Sequence, residues 1–222
     1  MSIAIAIDGP AGAGKSTIAR MAAKELGFIY VDTGALYRTI ALACQRANIK
    51  ADNTDEVVAI LNKIEVKLAF NEKKEQIVLL NREDVSSLIR TPEISMMASS
   101  VSKIPQVREF LLDLQRNMAK TNNVIMDGRD IGTVVLPDAK LKIFLFASPE
   151  CRAKRRYDEL IEKGMDVKYD DILQDVIDRD YADSHRDIAP LKPADDAVKV
   201  DTSDESLEES VNRLLAIMKE HI

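Results

Sequence analysis

Apolar and polar residues follow two rhythms along this chain, and the change from one to the other marks out its elements. Ile3-Ala-Ile-Ala-Ile7 is a short, unbroken apolar run, as expected of a strand covered on both faces. A helix is predicted from about Lys15 to Leu26, a second strand at Phe28 to Val31 and a helix from about Gly34 to Ala47. The last of these sets Leu36, Ile40, Ala43, Cys44 and Ala47 on one face, so Cys44 reads as a core thiol. Val107, Phe110, Leu111, Leu114 and Met118 share a further helical face. Asn123 to Met126, Lys142 to Ala147 and Ala197 to Asp201 read as more core strands. The final helix gathers Leu207, Val211, Leu214, Leu215 and Met218, behind a capping box at Ser206-x-x-Glu209. Strands alternating with helices at both ends imply parallel βαβ units.

The middle of the chain changes period. Ile64, Val66, Leu68 and Phe70 alternate with Glu65, Lys67 and Ala69, then Asn71 to Glu75 is polar and Gln76-Ile-Val-Leu-Leu80 is apolar again. Two strands across five polar residues predict an antiparallel hairpin, read as a small β-rich insertion over residues 62–92. A second insertion is expected between Ser148 and Arg186, with Gly164 as a hinge. There Arg152, Arg155 and Arg156 stand at i, i+3 and i+4 on one helical face, either a solvated basic face or a mobile lid over phosphates.

Composition adds boundaries. With 222 residues, 46% hydrophobic and 31% charged, the chain suits one α/β domain with appendages. A net charge of −6 argues against bulk nucleic-acid binding. Two cysteines, Cys44 and Cys151, are too few for a disulfide framework or a zinc site. His185 and His221 have no metal-ligand spacing. With no signal pattern and no apolar run of about 18 residues, the expected location is the cytoplasm, away from membranes.

The strongest chemical signal is Gly9-Pro10-Ala11-Gly12-Ala13-Gly14-Lys15-Ser16, followed by Thr17, which fits G-x-x-x-x-G-K-[ST] directly after a strand and before a helix. Glycines let backbone N–H groups wrap an anion, and the helix dipole adds positive potential. Lys15 can reach the β- and γ-phosphates and the Ser16 hydroxyl can ligate Mg²⁺. Other segments leave alternatives open. Asp32 and Thr33 are helix caps or ligand groups at a strand's carboxyl edge, and Arg38 is a surface arginine or an anion clamp. Asp127 is a metal-holding acid or part of an Asp-Gly turn, beside polar Arg129 and Asp130. Arg179, Asp183 and Arg186 share a helical face, where a surface ion pair suffices for the first two.

Together, IDGPAGAGKST at 7–17, DTGALYR at 32–38, RTPEISMMASSVSKIPQVRE at 90–109, DGRDIGTVVLPDAKLKIFL at 127–145 and RDYADSHRDIAPL at 179–191 resemble the bacterial-type cytidylate kinases, a branch of the nucleoside monophosphate kinases. The resemblance implies an α/β fold: a P-loop NTPase core with a parallel sheet flanked by helices, a small β-rich monophosphate-binding insertion and a helical lid. Core segments would be 1–61, 93–147 and 187–222, and the lid 148–186. It implies ATP and Mg²⁺ as co-substrate and cofactor, CMP and dCMP as acceptors, and a monomer. By resemblance, Ser99, Arg108 and Asp130 contact cytosine, Thr33, Arg38, Arg129 and Arg186 hold the acceptor phosphate, and Arg179 and Asp183 approach the sugar. Lys15, Arg129, Arg155 and Arg186 would neutralise transferring charge, with Ser16 and Asp127 at the metal. A kinase for another monophosphate or small metabolite is the nearest alternative. A nucleotide-hydrolysing switch is the other, although neither D-x-x-G after the loop nor N-K-x-D is present.

Overall fold

The computed structural model describes residues 2–72 and 75–222. Its elements begin with β1 (Ala4–Asp8), α1 (Lys15–Leu26), β2 (Ile29–Asp32), α2 (Thr33–Arg46) and α3 (Thr54–Leu61). Then come β3 (Val66–Phe70), β4 (Gln76–Leu80), β5 (Glu83–Asp84), α4 (Pro92–Val101) and α5 (Pro105–Thr121). The rest are β6 (Val124–Gly128), a π-helical turn (Ile131–Val135), β7 (Leu141–Phe146), α6 (Pro149–Glu162), α7 (Tyr169–Ser184), β8 (Val198–Asp201) and α8 (Leu207–His221). Residues 3–28 and 125–222 form one compact unit, residues 29–124 a second.

In the first unit, strands lie side by side in the order β6-β1-β7-β8. β1 pairs with β7 in parallel, Ile7 opposite Ile143, and β7 pairs with β8 in parallel, Ile143 opposite Val198. Ile5, Ile7, Ile125, Met126, Ile143 and Leu145 are completely buried, which explains why these strands read as apolar runs. β1 ends in Asp8, and β6 carries Asp127 one residue before its end, both at the edge where open α/β sheets bind ligands. α1 packs on α8, whose capping box at Ser206 and Glu209 is formed as expected. α6 and α7 enclose a small core of Ala153, Leu160 and Ile172. Gly164, expected as a hinge, terminates α6: at φ +74° it lets its own N–H reach Ile161 O and that of Met165 reach Leu160 O, a Schellman stop.

In the second unit α2 packs on α4, and Leu36, Ile40 and Cys44 lie at the centre of its core. Burial pushes the Cys44 thiol up to about 11, in keeping with an inert packing group. The hairpin is antiparallel, with Val66 opposite Leu80 and Phe70 opposite Gln76, and Glu83-Asp84 adds a third strand. Within its polar connection, residues 73 and 74 lie outside the described residues. α3 and α4 fall where the apolar pattern predicts no element, because each is short and buries only three side chains. α5 extends past the predicted helix at both ends, opened by Pro105 at its first position. Its buried side is the predicted one turned slightly: Val107 and Leu111 are fully buried as expected, but Phe110 is exposed, and Arg108 and Gln115 are buried instead. Among the described residues no helix is long and apolar enough to cross a membrane.

Candidate phosphate site

The turn between β1 and α1 is built for an anion. Gly9 has φ +151°, and a Cβ there would lie 1.9 Å from the carbonyl oxygen of Leu145, so only glycine fits. Gly12 and Gly14 take φ +76° and +86°, and Gly14 precedes α1 without any side-chain cap. The opening amides of α1 therefore stay available to a ligand.

Lys15 is buried, and its Nζ donates to Pro10 O at 2.7 Å. Burial lowers its pKa to about 7, helped by the like charge of Arg129 and opposed by Asp127, Asp8 and Asp183. The Ser16 hydroxyl donates to Asp127 Oδ2 at 2.8 Å. Asp127 is a buried residue inside β6, which rules out the turn reading. Asp8 is equally buried, accepting N–H groups of Ile131 and Gly132, each at 2.7 Å. Burial pushes its carboxyl up to about 6, against the pull of those two amides.

Beyond β6, Arg129 donates from Nε to Asp183 Oδ2 at 2.9 Å, and Arg186 lies 3.6 Å from Asp130 Oδ1. Asp183 is buried, so a surface pair with Arg179 does not describe it. Burial raises its carboxyl, but Arg129, then Arg179 and Arg186, outweigh that and hold it below the usual carboxylate range. Arg129, Asp130, Arg179, Asp183 and Arg186 thus form one electrostatic group in this unit.

The three arginines of α6 do not act as one face. Arg152 is buried and donates from Nε to Ala147 O and from Nη1 to Ala11 O in the phosphate loop. It also grips Asp180 of α7 with both terminal nitrogens. Arg155 donates to Thr202 O at 2.6 Å, while Arg156 pairs with Glu159 at the exposed surface.

The second unit holds Thr33, Arg38, Ser99 and Arg108. Asp32 caps α2 by accepting the Ala35 N–H through Oδ1, and its Oδ2 accepts from Arg38 at 2.8 Å. Arg38 is not a free surface arginine: its Nε is buried with no hydrogen-bond partner, and Gly34 leaves room for the guanidinium. Thr33 is buried in the first turn of α2. Ser99 is half-buried on α4 and its carbonyl accepts from Ser102. Arg108 is buried over the Tyr37 ring at 5.8 Å.

The family model described as cytidylate kinase matches residues 5–220. This chain belongs to the cytidylate kinase family. It is 49% identical to the cytidylate kinase of Caldicellulosiruptor saccharolyticus, over 97% of this chain and 95% of that protein. It is 47% identical to that of Thermosipho melanesiensis, over 99% and 98%. A structural likeness to an uncharacterised protein from Eubacterium ventriosum has a TM-score of 0.53 at 12% identity, covering 98% of this chain and 99% of that one, and speaks for the fold alone. As a member of the cytidylate kinase family, the chain is a phosphotransferase with a parallel sheet flanked by helices.

Two polar contacts in this kinase escape motif reading. Asp8 stands one residue before the glycine loop, and only its partner amides, 123 and 124 residues away, reveal its use. Gln76 opens β4 and accepts the Asp32 N–H while donating to Asp32 O, at 2.8 and 3.3 Å. Nothing in the hairpin's alternation singles it out.

Proposed function

We propose that this enzyme transfers the γ-phosphoryl group of ATP to CMP and dCMP, giving CDP and dCDP, with Mg²⁺ as the metal. The observation that carries this reading is the cytidylate kinase match over nearly the whole chain. The acceptor nucleophile is already a phosphate anion, so no general base is required. The problem is bringing two polyanions into line, which calls for positioning and charge neutralisation.

The loop amides of residues 9–17 cradle the donor phosphates, and Lys15 turns from Pro10 O toward the transferring group. Ser16 and Asp127 suit Mg²⁺: a hydroxyl 2.8 Å from a buried carboxylate is an oxygen pair of the kind this ion takes alongside substrate phosphates and water. Among the described residues no cluster of three acidic, His or Cys ligands offers a cage, in keeping with a metal that arrives on its nucleotide. When bound, the ion neutralises charge on the phosphate oxygens.

Arg38, held by Asp32 with Nε unsatisfied, and Thr33 are assigned to the acceptor phosphate, as are Arg129 and Arg186. Arginine's planar fork suits phosphate oxygens. Ser99, Arg108 and Asp130 are assigned to cytosine, with Asp130 accepting from its amino group, and Arg179 and Asp183 to the sugar. Arg155 is assigned to the transferring charge and would have to leave Thr202 O to reach it. The hairpin of 62–92 serves as the monophosphate-binding insertion and 148–186 as the lid. In line with the family resemblance the enzyme is assigned as a monomer, and a cytoplasmic nucleotide pool is the fitting source of substrates.

ADP release measured with CMP, dCMP, UMP, AMP and shikimate as acceptors tests this. CMP and dCMP should give the highest kcat/KM. Preference for AMP or shikimate, or ATP turnover that ignores the acceptor, would overturn it.

A further inference from the structure

Asp8 has no role in the chemistry above, although it is buried beside the donor loop. Both of its oxygens are engaged, Oδ1 by the Ile131 N–H and Oδ2 by the Gly132 N–H, each at 2.7 Å. Those amides open the π-helical turn 131–135, which starts immediately after Arg129 and Asp130. π-Helical turns are rare and need outside support, because their opening amides have no partner within the turn. Gly132 lies directly against the carboxylate: a Cβ there would be in contact with Asp8 Oδ2 at 3.4 Å and would press on the Lys142 stem at 3.2 Å. Asp130 sits at φ −146°, ψ 28°, outside any regular element, so its direction is set by the adjoining turn.

We infer that Asp8 is a positioning residue for the acceptor: by clamping the amides of Ile131 and Gly132 it fixes the turn that aims Asp130, and with it selectivity for cytosine. This rests on the assignment of Asp130 to the base. Asp8 is covalently next to Gly9, yet neither oxygen is left to face a donor phosphate. Its loss should therefore register chiefly at the acceptor: the support it gives the Lys15 ammonium acts with CMP and UMP alike, so the ratio between the two acceptors is the readout that reports on Asp130.

The test compares Asp8→Ala, Asp8→Asn and Asp130→Asn by steady-state kinetics, with CMP or UMP as acceptor and ATP varied separately. Asp8→Ala should raise KM for CMP and lower the CMP-to-UMP ratio of kcat/KM about tenfold, leaving KM for ATP within about threefold. Asp8→Asn keeps one acceptor oxygen and should fall between Asp8→Ala and the parent enzyme. A merely structural role would reduce the folded fraction, lowering kcat with both acceptors alike and leaving KM and the ratio unchanged. That result overturns the inference. So does a rise in KM for ATP alone, or failure of both Asp8 variants to fold. Asp130→Asn separates the two levels. If it leaves the ratio unchanged, the base assignment itself is wrong; if it lowers the ratio while Asp8→Ala does not, only the positioning role is.

Discussion

Lys15 illustrates how one residue carries both a structural cost and a function. Burial and Arg129 together bring its pKa to about 7 when no nucleotide is bound. Phosphate oxygens favour the ammonium, so binding ATP must raise that value. Above pH 7 the free enzyme therefore holds fewer protons at Lys15 than the complex, so binding takes up a proton and weakens as pH rises. Titration calorimetry in buffers of different ionisation enthalpy should show uptake of up to about one proton at about pH 8, fading by about pH 6. In Lys15→Ala the uptake should vanish. Release of protons at the higher pH would contradict the assignment. Residues of this kind differ in how readable they were. Lys15 and Ser16 declare themselves by spacing, since the chemistry and the local turn coincide. Arg38 and Asp127 were visible as polar residues at strand ends, but choosing between their readings required partners such as Asp32 and Ser16. Asp8 and Gln76 were not legible, because their partners are remote in sequence.

At the scale of elements, α6 and α7 depend on Arg152. Its side chain satisfies the carbonyl oxygens of Ala147 and Ala11 and joins Asp180, so it pins both helices to the phosphate loop. Removing Arg152 leaves half-buried Asp180 and two carbonyl oxygens without their charged donor, which here should cost about 2 kcal/mol. Arg152→Ala should accordingly lower the urea midpoint and loosen the loop; an unchanged midpoint would mean that the pin contributes nothing. Spacing alone placed Arg152 with Arg155 and Arg156, since helical spacing reports a shared face and not burial. The same limit explains α5, where Arg108 and Gln115 occupy buried positions that an apolar count passes over. Strands such as β1 and β7 were legible because sheet interiors demand apolar residues throughout.

For the whole molecule, the order of motifs along the chain carried the family, and hydrophobic rhythm carried the α/β class. What rhythm does not encode is how the units are drawn from the chain, since residues 3–28 and 125–222 come together across nearly a hundred intervening positions. The carbonyl of Leu145 presses against Gly9, whereas Gly27, at φ +69°, has nothing within 4 Å of its missing Cβ. Two glycines with unusual backbones thus face opposite futures under mutation. In a saturation library selected for growth on this kinase, codon 9 should return glycine alone, while codon 27 should admit asparagine, which tolerates that conformation. Alanine recovered at the first site in healthy clones would mean the crowding there is softer than the atoms suggest. Descendants of this gene are free to drift where their first helix ends and not where their first strand does.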